Sequence, residues 1–221
     1  TLAAVDWEFQ TVETLKNRLS TKWNYDLDRN NILHFDIQRT EELINGFDDS
    51  KFGKSEGLDK IVGDKNVDLI VGGPPCQGFS IAGKRIIEDE RNQLYKTFVN
   101  FVEHSTPKAF LMENVPNIMS MGKGAIKNQI IKDFESIGYK VSHQILLASD
   151  YGVPQNRKRA FFVGLKNGSE FKFPLPTTSN NKVTSEEAIS DLAEHTITDG
   201  TPYLDKYKST FQKQMRNGNK F

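Results

Sequence analysis

The stretch Val67-Asp68-Leu69-Ile70-Val71-Gly72-Gly73-Pro74-Pro75-Cys76 constrains the fold of this chain more than any other. Its first five residues predict a short buried strand, mostly apolar and β-branched, closed by glycine. Two glycines and two prolines then stop the strand and fix a stiff turn. At the end of that turn stands Cys76, the single cysteine of the sequence. A lone thiol on a rigid loop just past a strand is either a placed nucleophile or a small buried hydrophobe. Lys84, Arg85 and the Arg157-Lys158-Arg159 cluster are the cations that could lower its pKa.

Strands and helices alternate on both sides of the turn. Leu2-Ala3-Ala4-Val5 predicts a strand ending at Asp6-Trp7, and a helix follows with Val12, Leu15 and Leu19 on one face. Asn31 to Ile37 predicts a second strand. Residues 45–66, rich in Gly, Asp, Lys and Ser, predict a loop with one short helix around Leu58 to Val62. After the cysteine, Leu94, Phe98, Phe101 and Val102 mark an amphipathic helix, and Lys108 to Met112 a strand that runs out at Glu113-Asn114. Ile126, Ile130, Phe134 and Ile137 mark another helix, closed by Gly138. Tyr139 to Ala148 and Arg159 to Leu165 predict two more strands. This order implies βαβ units, a largely parallel sheet and the α/β class. Ligands of such sheets bind beyond the carboxyl ends of the strands. Asp6, Asp36, Cys76 and Glu113 all fall just past a predicted strand end, and that convergence marks a candidate active site.

From about Phe171 the character changes. Phe173-Pro174-Leu175-Pro176-Thr177-Thr178-Ser179-Asn180-Asn181 reads as a linker, and Thr184-Ser185-Glu186-Glu187-Ala188-Ile189 as a capped helix start. Thr201 to Phe221 carries five bases and one acid without a clear period.

With 221 residues the chain suffices for one large domain, or one and a half. No apolar run approaches the roughly 20 residues that cross a bilayer, and no secretory signal peptide is read at Thr1 to Asp6. One cysteine makes neither an internal disulfide nor a cysteine-rich zinc site, which fits a reducing cytosol. Charge is uneven although the formal net is zero: residues 1–70 hold 14 acids and 9 bases, residues 71–221 hold 15 acids and 20 bases. The basic half, which contains Cys76, permits a polyanionic partner; a solvated surface with no such partner is the other reading.

Among the remaining polar residues, Glu113 directly follows Phe-Leu-Met on a buried strand. It is either a satisfied strand-end carboxylate or a general acid with a raised pKa facing the thiol. Gln155-Asn156-Arg157-Lys158-Arg159 predicts the opening of a strand with Gln155, Arg157 and Arg159 on one face. Such a row is either a charged edge or a set of donors for phosphate or carbonyl oxygens. Asp6-Trp7 would suit a nucleoside, the acid accepting from ribose hydroxyls and the indole stacking on a base.

Together these stretches resemble the DNA (cytosine-5)-methyltransferase family, in its bacterial modification-type form. Gly-Gly-Pro-Pro-Cys-Gln-Gly-Phe-Ser at 72–80, Glu-Asn-Val at 113–115 and Gln-Asn-Arg-Lys-Arg at 155–159 occur in the family's order, with the Asp-Trp and Asp-Ile pairs upstream. The resemblance covers roughly residues 1–166. It implies a Rossmann-like S-adenosylmethionine-dependent methyltransferase fold with a mainly parallel sheet, and the start of a smaller target-recognition region. On that basis residues 1–172 are expected to be a partial catalytic domain, and 173–221 a linker and the beginning of target recognition.

The resemblance implies methyl transfer from S-adenosylmethionine to C5 of a cytosine in double-stranded DNA. The base is flipped out, the Cys76 thiolate adds to C6, and Glu113 holds the N3/N4 edge. Arg159 is expected to hold O2, and Arg157 to position the thiol or a phosphate. Asn114 and Gln155 are expected to support these loops. Ser80, Lys84 and Arg85, with Gln155, are expected to meet DNA. For the cofactor, Asp6, Trp7, Asp36, Ile37, Pro74 and Leu94 are the implied contacts; S-adenosylhomocysteine is the product, and no metal is expected. A cytoplasmic monomer acting on DNA is expected, with no membrane and with a cognate restriction endonuclease as a further partner. A tRNA cytosine-5 methyltransferase and an inactive nucleic-acid-binding fragment are the alternatives. The family's Phe-x-Gly-x-Gly-Gly turn has no counterpart before Asp6, and its closing Asn-containing segment has none before Phe221. The expectation is therefore a fragment with weak cofactor binding and little turnover, belonging to an active full protein.

Overall fold

The computed structural model describes residues 2–26, 30–75, 93–192 and 207–216. The chain divides into two compact units, Thr1–Ser142 with Phe162–Phe171, and His143–Phe161 with Lys172–Phe221.

The first unit opens with strand β1 (Ala4–Asp6) and helix α1 (Phe9–Trp23), whose Val12 is buried. Strand β2 (Ile32–His34) lies parallel to β1, with Asp6 opposite His34. Helix α2 (Thr40–Asn45) leads into a hairpin of β3 (Phe47–Asp49) and β4 (Gly53–Ser55), and helix α3 (Leu58–Val62) follows. Strand β5 (Leu69–Gly72) runs parallel to β6 (Ala109–Asn114), with helix α4 (Gln93–Ser105) between them in sequence. Helix α5 (Ala125–Ser136) precedes β7 (Lys140–Leu147), and with β8 (Lys158–Leu165) the strand order is β5-β6-β8-β7; residues 143–147 of β7 and 158–161 of β8 are counted with the second unit. The parallel pairs β1-β2 and β5-β6 with intervening helices bear out the α/β class. Among the described residues the strands form three separate sheets rather than one.

Two aromatic clusters hold this unit. Phe110 of β6 stacks on Phe134 of α5 with centroids 3.9 Å apart, and Phe98 of α4 meets both edge-on. Truncating a buried phenylalanine of this kind costs about 3–5 kcal/mol. Gly164 of β8 lies so close to Phe110 that a Cβ there would sit 2.0 Å from the ring. The second cluster joins Leu33, Phe35, Leu43, Ile44, Phe47 and Phe101, with Phe35 stacked on Phe47 at 3.9 Å.

In the second unit, Thr177 and Thr178 donate their amides to Asp150 O, and the Thr178 hydroxyl donates to Ser149 O. These bonds pin the proline-rich linker to the turn after β7. Helix α6 (Ser185–Ile189) starts with the expected capping box between Thr184 and Glu187, which holds the Glu187 carboxyl below its ordinary pKa. Helix α7 (Thr210–Arg216) lies where the sequence shows no period; seven residues make two turns, too few for one to emerge. Among the described residues no helix is long and apolar enough to cross a membrane.

The β3-β4 hairpin is a correction to the sequence reading, which took residues 45–66 as loop plus one helix, and α2 falls almost wholly before that stretch, where the reading placed no element. The strands are three residues each and carry no alternating apolar pattern. Their turn is closed by Asp49, whose Oδ1 accepts the amides of Lys51 and Phe52 at 2.8 and 3.1 Å.

Candidate active site

Four strand ends of the first unit carry the candidate side chains. At the end of β1, the Asp6 carbonyl accepts the Phe35 amide, and its Oδ1 accepts the Glu8 amide at 2.8 Å. That turn breaks the strand and begins α1, and it leaves Trp7 54% exposed. The Trp7 carbonyl lies 3.0 Å from His34 Nε2, which donates in its Nε2–H form. Past β2 the same device recurs: Asp36 Oδ1 accepts the Gln38 amide at 2.9 Å. Asp36 is half-buried, and Ile37 packs against the Leu33–Phe35 core. In both acids one carboxylate oxygen shapes the chain, and among the described residues the other is left to an outside donor.

The hairpin adds two residues that the sequence reading did not single out. Lys51 Nζ sits 4.0 Å from the centre of the Trp7 ring, and Phe52 lies 5.7 Å from it. Their available signal was a Lys-aromatic-Gly turn following two aspartates, which hydropathy does not register. Arg39 anchors the hairpin: Nη1 meets Asp49 Oδ2 at 2.8 Å, Nε meets Glu42 Oε1 at 2.8 Å, and Nη2 pairs with Glu42 Oε2. The Arg39 hydrogen bonds hold Glu42 below the usual carboxylate range; together with the Lys51 and Phe52 amides they do the same for Asp49.

At β5 and β6 the parallel register sets Gly72 beside Met112, so Gly73 and Pro74 emerge alongside Glu113 and Asn114. A Cβ on Gly73 would lie 3.5 Å from Glu113 Oε2. Asn114 is 4% exposed; its Nδ2 donates to Pro74 O at 2.8 Å and its Oδ1 accepts the Val115 amide at 2.8 Å. The bond to Pro74 spans 40 residues of chain and fixes the turn two residues before Cys76. Gly72 is held differently. A Cβ there would approach Phe98 Cε2 to 2.4 Å, so the ring of α4 occupies the space a side chain would need. Glu113 is half-buried and lies within the end of β6 rather than just past it. Leu94, also half-buried, is in the first turn of α4.

Cys76, Ser80, Lys84 and Arg85 lie outside the described residues. In the second unit, β8 begins at Lys158, so Gln155, Arg157 and Arg159 do not share a strand face as the alternation predicted. Gly152 and Pro154 make residues 152–157 a turn, with Gln155 N donating to Val153 O at 2.7 Å and Arg157 N to Gln155 O at 2.9 Å. Gln155 and Arg157 are exposed there, and the Ser149 hydroxyl donates to Asn156 Oδ1 at 2.9 Å. Arg159 is half-buried within β8, and its Nη1 donates to Lys158 O at 2.8 Å. Among the described residues no group of His, Cys, Asp and Glu is placed to hold a metal ion.

The family model of C-5 cytosine-specific DNA methylase matches residues 2–220. The chain is similar to Type II methyltransferase M.DdeI of Desulfomicrobium norvegicum, 43% identical over 164 residues, covering 69% of this chain and 40% of that protein. It is also similar to Type II methyltransferase M.BsuRI of Bacillus subtilis, 40% identical over 156 residues, covering 67% of this chain and 35% of that one. The chain thus spans about 40% of the length of such relatives. Among solved structures, a prophage-encoded E. coli protein described as a DNA modification methyltransferase superposes with a TM-score of 0.58 at 26% identity, over 89% of this chain and 48% of that one. A Spodoptera frugiperda DNMT2 variant superposes at 0.50 and 21% identity, over 79% of this chain and 45% of that one, a likeness of fold.

Proposed function

Because the chain belongs to the C-5 cytosine-specific DNA methylase family, we propose that the full protein methylates C5 of a cytosine in double-stranded DNA, with S-adenosylmethionine as donor. The observation that carries this reading is the paired ends of β5 and β6: Glu113 beside Gly73, and Asn114 tied to Pro74, on the turn that leads to Cys76.

The residues present fit the donor. Asp6 and Asp36 each keep a carboxylate oxygen for ribose or adenine donors, Trp7 offers an exposed indole and Ile37 an apolar face. Pro74 and Leu94 are assigned to the methionine part. When bound, S-adenosylmethionine supplies an electrophilic methyl group.

The chain's own residues prepare the base. A cytosine must leave the stack for its C5 and C6 to be approached. The Cys76 thiolate adds to C6, while Glu113 bonds the N3/N4 edge and favours protonation at N3. Arg159 holds O2 against rotation of the base, and Arg157 positions the thiol or a phosphate. The C6–S bond leaves C5 electron-rich; after methylation the C5 proton departs to base, the sulfur is expelled and the ring is aromatic again. Ser80, Lys84, Arg85 and Gln155 contact the DNA backbone around the flipped base. Residues 1–172 are assigned to catalysis and 173–221 to the start of target recognition. The type II designation of the relatives supports a cognate restriction endonuclease sharing the site.

The test is trapping by the full protein on DNA containing 5-fluorocytosine, where fluorine cannot leave as the proton does. Wild type is expected to form a persistent protein–DNA adduct and Cys76→Ser none. Glu113→Gln is expected to lower methyl transfer by about 10²- to 10⁴-fold. An adduct with the serine variant overturns the nucleophile. Transfer to tRNA alone overturns the substrate, and transfer to neither nucleic acid favours a binding protein.

A further inference from the structure

We propose that Lys51 is a positioning residue of the nucleoside site, clamping one face of the Trp7 indole so that the opposite face receives a purine. The proposal rests on the reading of Asp6 and Trp7 as a nucleoside site, and it names how that site is preorganised.

Trp7 follows β1 and is exposed, and the hairpin supplies a cation and a ring against its indole. Lys51 Nζ stands 4.0 Å from the Trp7 centroid and 4.8 Å from the Phe52 centroid, so one ammonium is shared between two rings. The ring centroids are 5.7 Å apart and the planes tilted by 58°, so the ammonium sits beside the pair within reach of both rings. Among the described residues this ammonium has no carboxylate partner, whereas Lys54 on the same hairpin pairs with Asp48 at 3.3 Å. A cation over an indole face is attracted by the ring quadrupole.

Lys51 is itself held from the core outward. Phe52 packs edge-on against Phe35 at 5.1 Å and His34 at 4.9 Å. Asp49 Oδ1 takes the amides of both Lys51 and Phe52, and Asp49 Oδ2 takes Arg39. Arg39 in turn lies 4.8 Å over Phe35. A continuous path of bonds and ring contacts therefore runs from the Phe35 core to the ammonium. An exposed aromatic loses rotamer freedom when a ligand stacks on it, and a clamp already in place removes that loss from binding. With Lys51 on one face, stacking is directed to the other.

The experiment measures S-adenosylhomocysteine and adenosine binding to the full protein by calorimetry. A Trp23→Phe background leaves Trp7 as the single tryptophan of the 221-residue sequence. Fluorescence quenching on binding and thermal unfolding are recorded for each variant. Lys51→Met keeps the stem and removes the charge. It is expected to weaken both ligands about two- to fivefold and change the Trp7 emission, with unfolding temperature unchanged. Lys51→Arg is expected to restore both affinity and emission. Wild-type affinity and quenching in Lys51→Met overturn the clamp. So does equal weakening by methionine and arginine, since that leaves no role for the charge. Wild-type protein that binds neither ligand overturns the nucleoside site itself, and this proposal with it.

Discussion

The ends of β1 and β2 and the ends of β5 and β6 deliver candidate groups in opposite ways. At β1 and β2, each acid bonds an amide two residues onward, Asp6 to Glu8 and Asp36 to Gln38, and Trp7 is left exposed. Every such bond is local, and the surface is open to a small ligand. At β5 and β6, the deciding bond joins residues 40 apart in sequence and its donor is buried. A turn held this way cannot shift without disturbing the sheet. The difference teaches that one site edge is exposed and cheap to alter, whereas the other is bound up with stability.

Asn114→Ala attacks the rigid edge and carries the largest expected effect. Two hydrogen bonds of a buried amide disappear, and the loss is about 1–3 kcal/mol, seen as a lower unfolding temperature. Methyl transfer by the full protein should fall more than about tenfold and S-adenosylhomocysteine affinity by less, since Pro74 is only one of the assigned cofactor contacts. If cofactor affinity collapses in step, the two edges are not independent and the comparison breaks. Trp7→Ala tests the exposed edge. Affinity for S-adenosylhomocysteine should fall by up to about tenfold, the worth of one aromatic stack, with unfolding temperature unchanged. A large loss of stability would show that the exposed indole holds the fold.

Acid gives the smallest effect and sharpens the same contrast. The Arg39 hydrogen bonds hold Glu42 and Asp49 below the ordinary carboxylate range. Carboxylates with depressed folded pKa values stabilise above their unfolded values, and that contribution is lost as pH falls through the folded ones. The hairpin should therefore loosen as pH drops below about 4, read as a change in Trp7 emission in the Trp23→Phe background. A signal flat from about pH 5 to pH 2 would show that Arg39 does not hold the hairpin.

What could be read in the sequence follows the same division. Local devices were legible: the Thr184 capping box, α3, the Gly138 stop and the strand ends at Asp6 and Glu113 all carry their signal within a few residues. Long-range contacts were not. Nothing near Asn114 announces Pro74 as its acceptor, although its supporting role followed from the family resemblance. The hairpin escaped because three-residue strands show no period, and Lys51 meets Trp7 only once that hairpin has folded back. The error at Gln155 and Arg157 came from starting the strand's alternation at Gln155, three residues before β8 begins and still within the turn that Gly152 and Pro154 open.

Gly72 and Gly73 were read together as turn residues, yet neither adopts the positive φ that glycine alone tolerates well. Their requirements are steric and unequal. Position 73 has ordinary van der Waals room, whereas position 72 is filled by the ring of Phe98. Gly72 and Phe98 thus behave like adjoining tiles that share a fixed area. A methyl group can be added at one only if volume is taken from the other. Redesign of the turn toward Cys76 therefore begins not in the turn but on helix α4, 26 residues further along the chain.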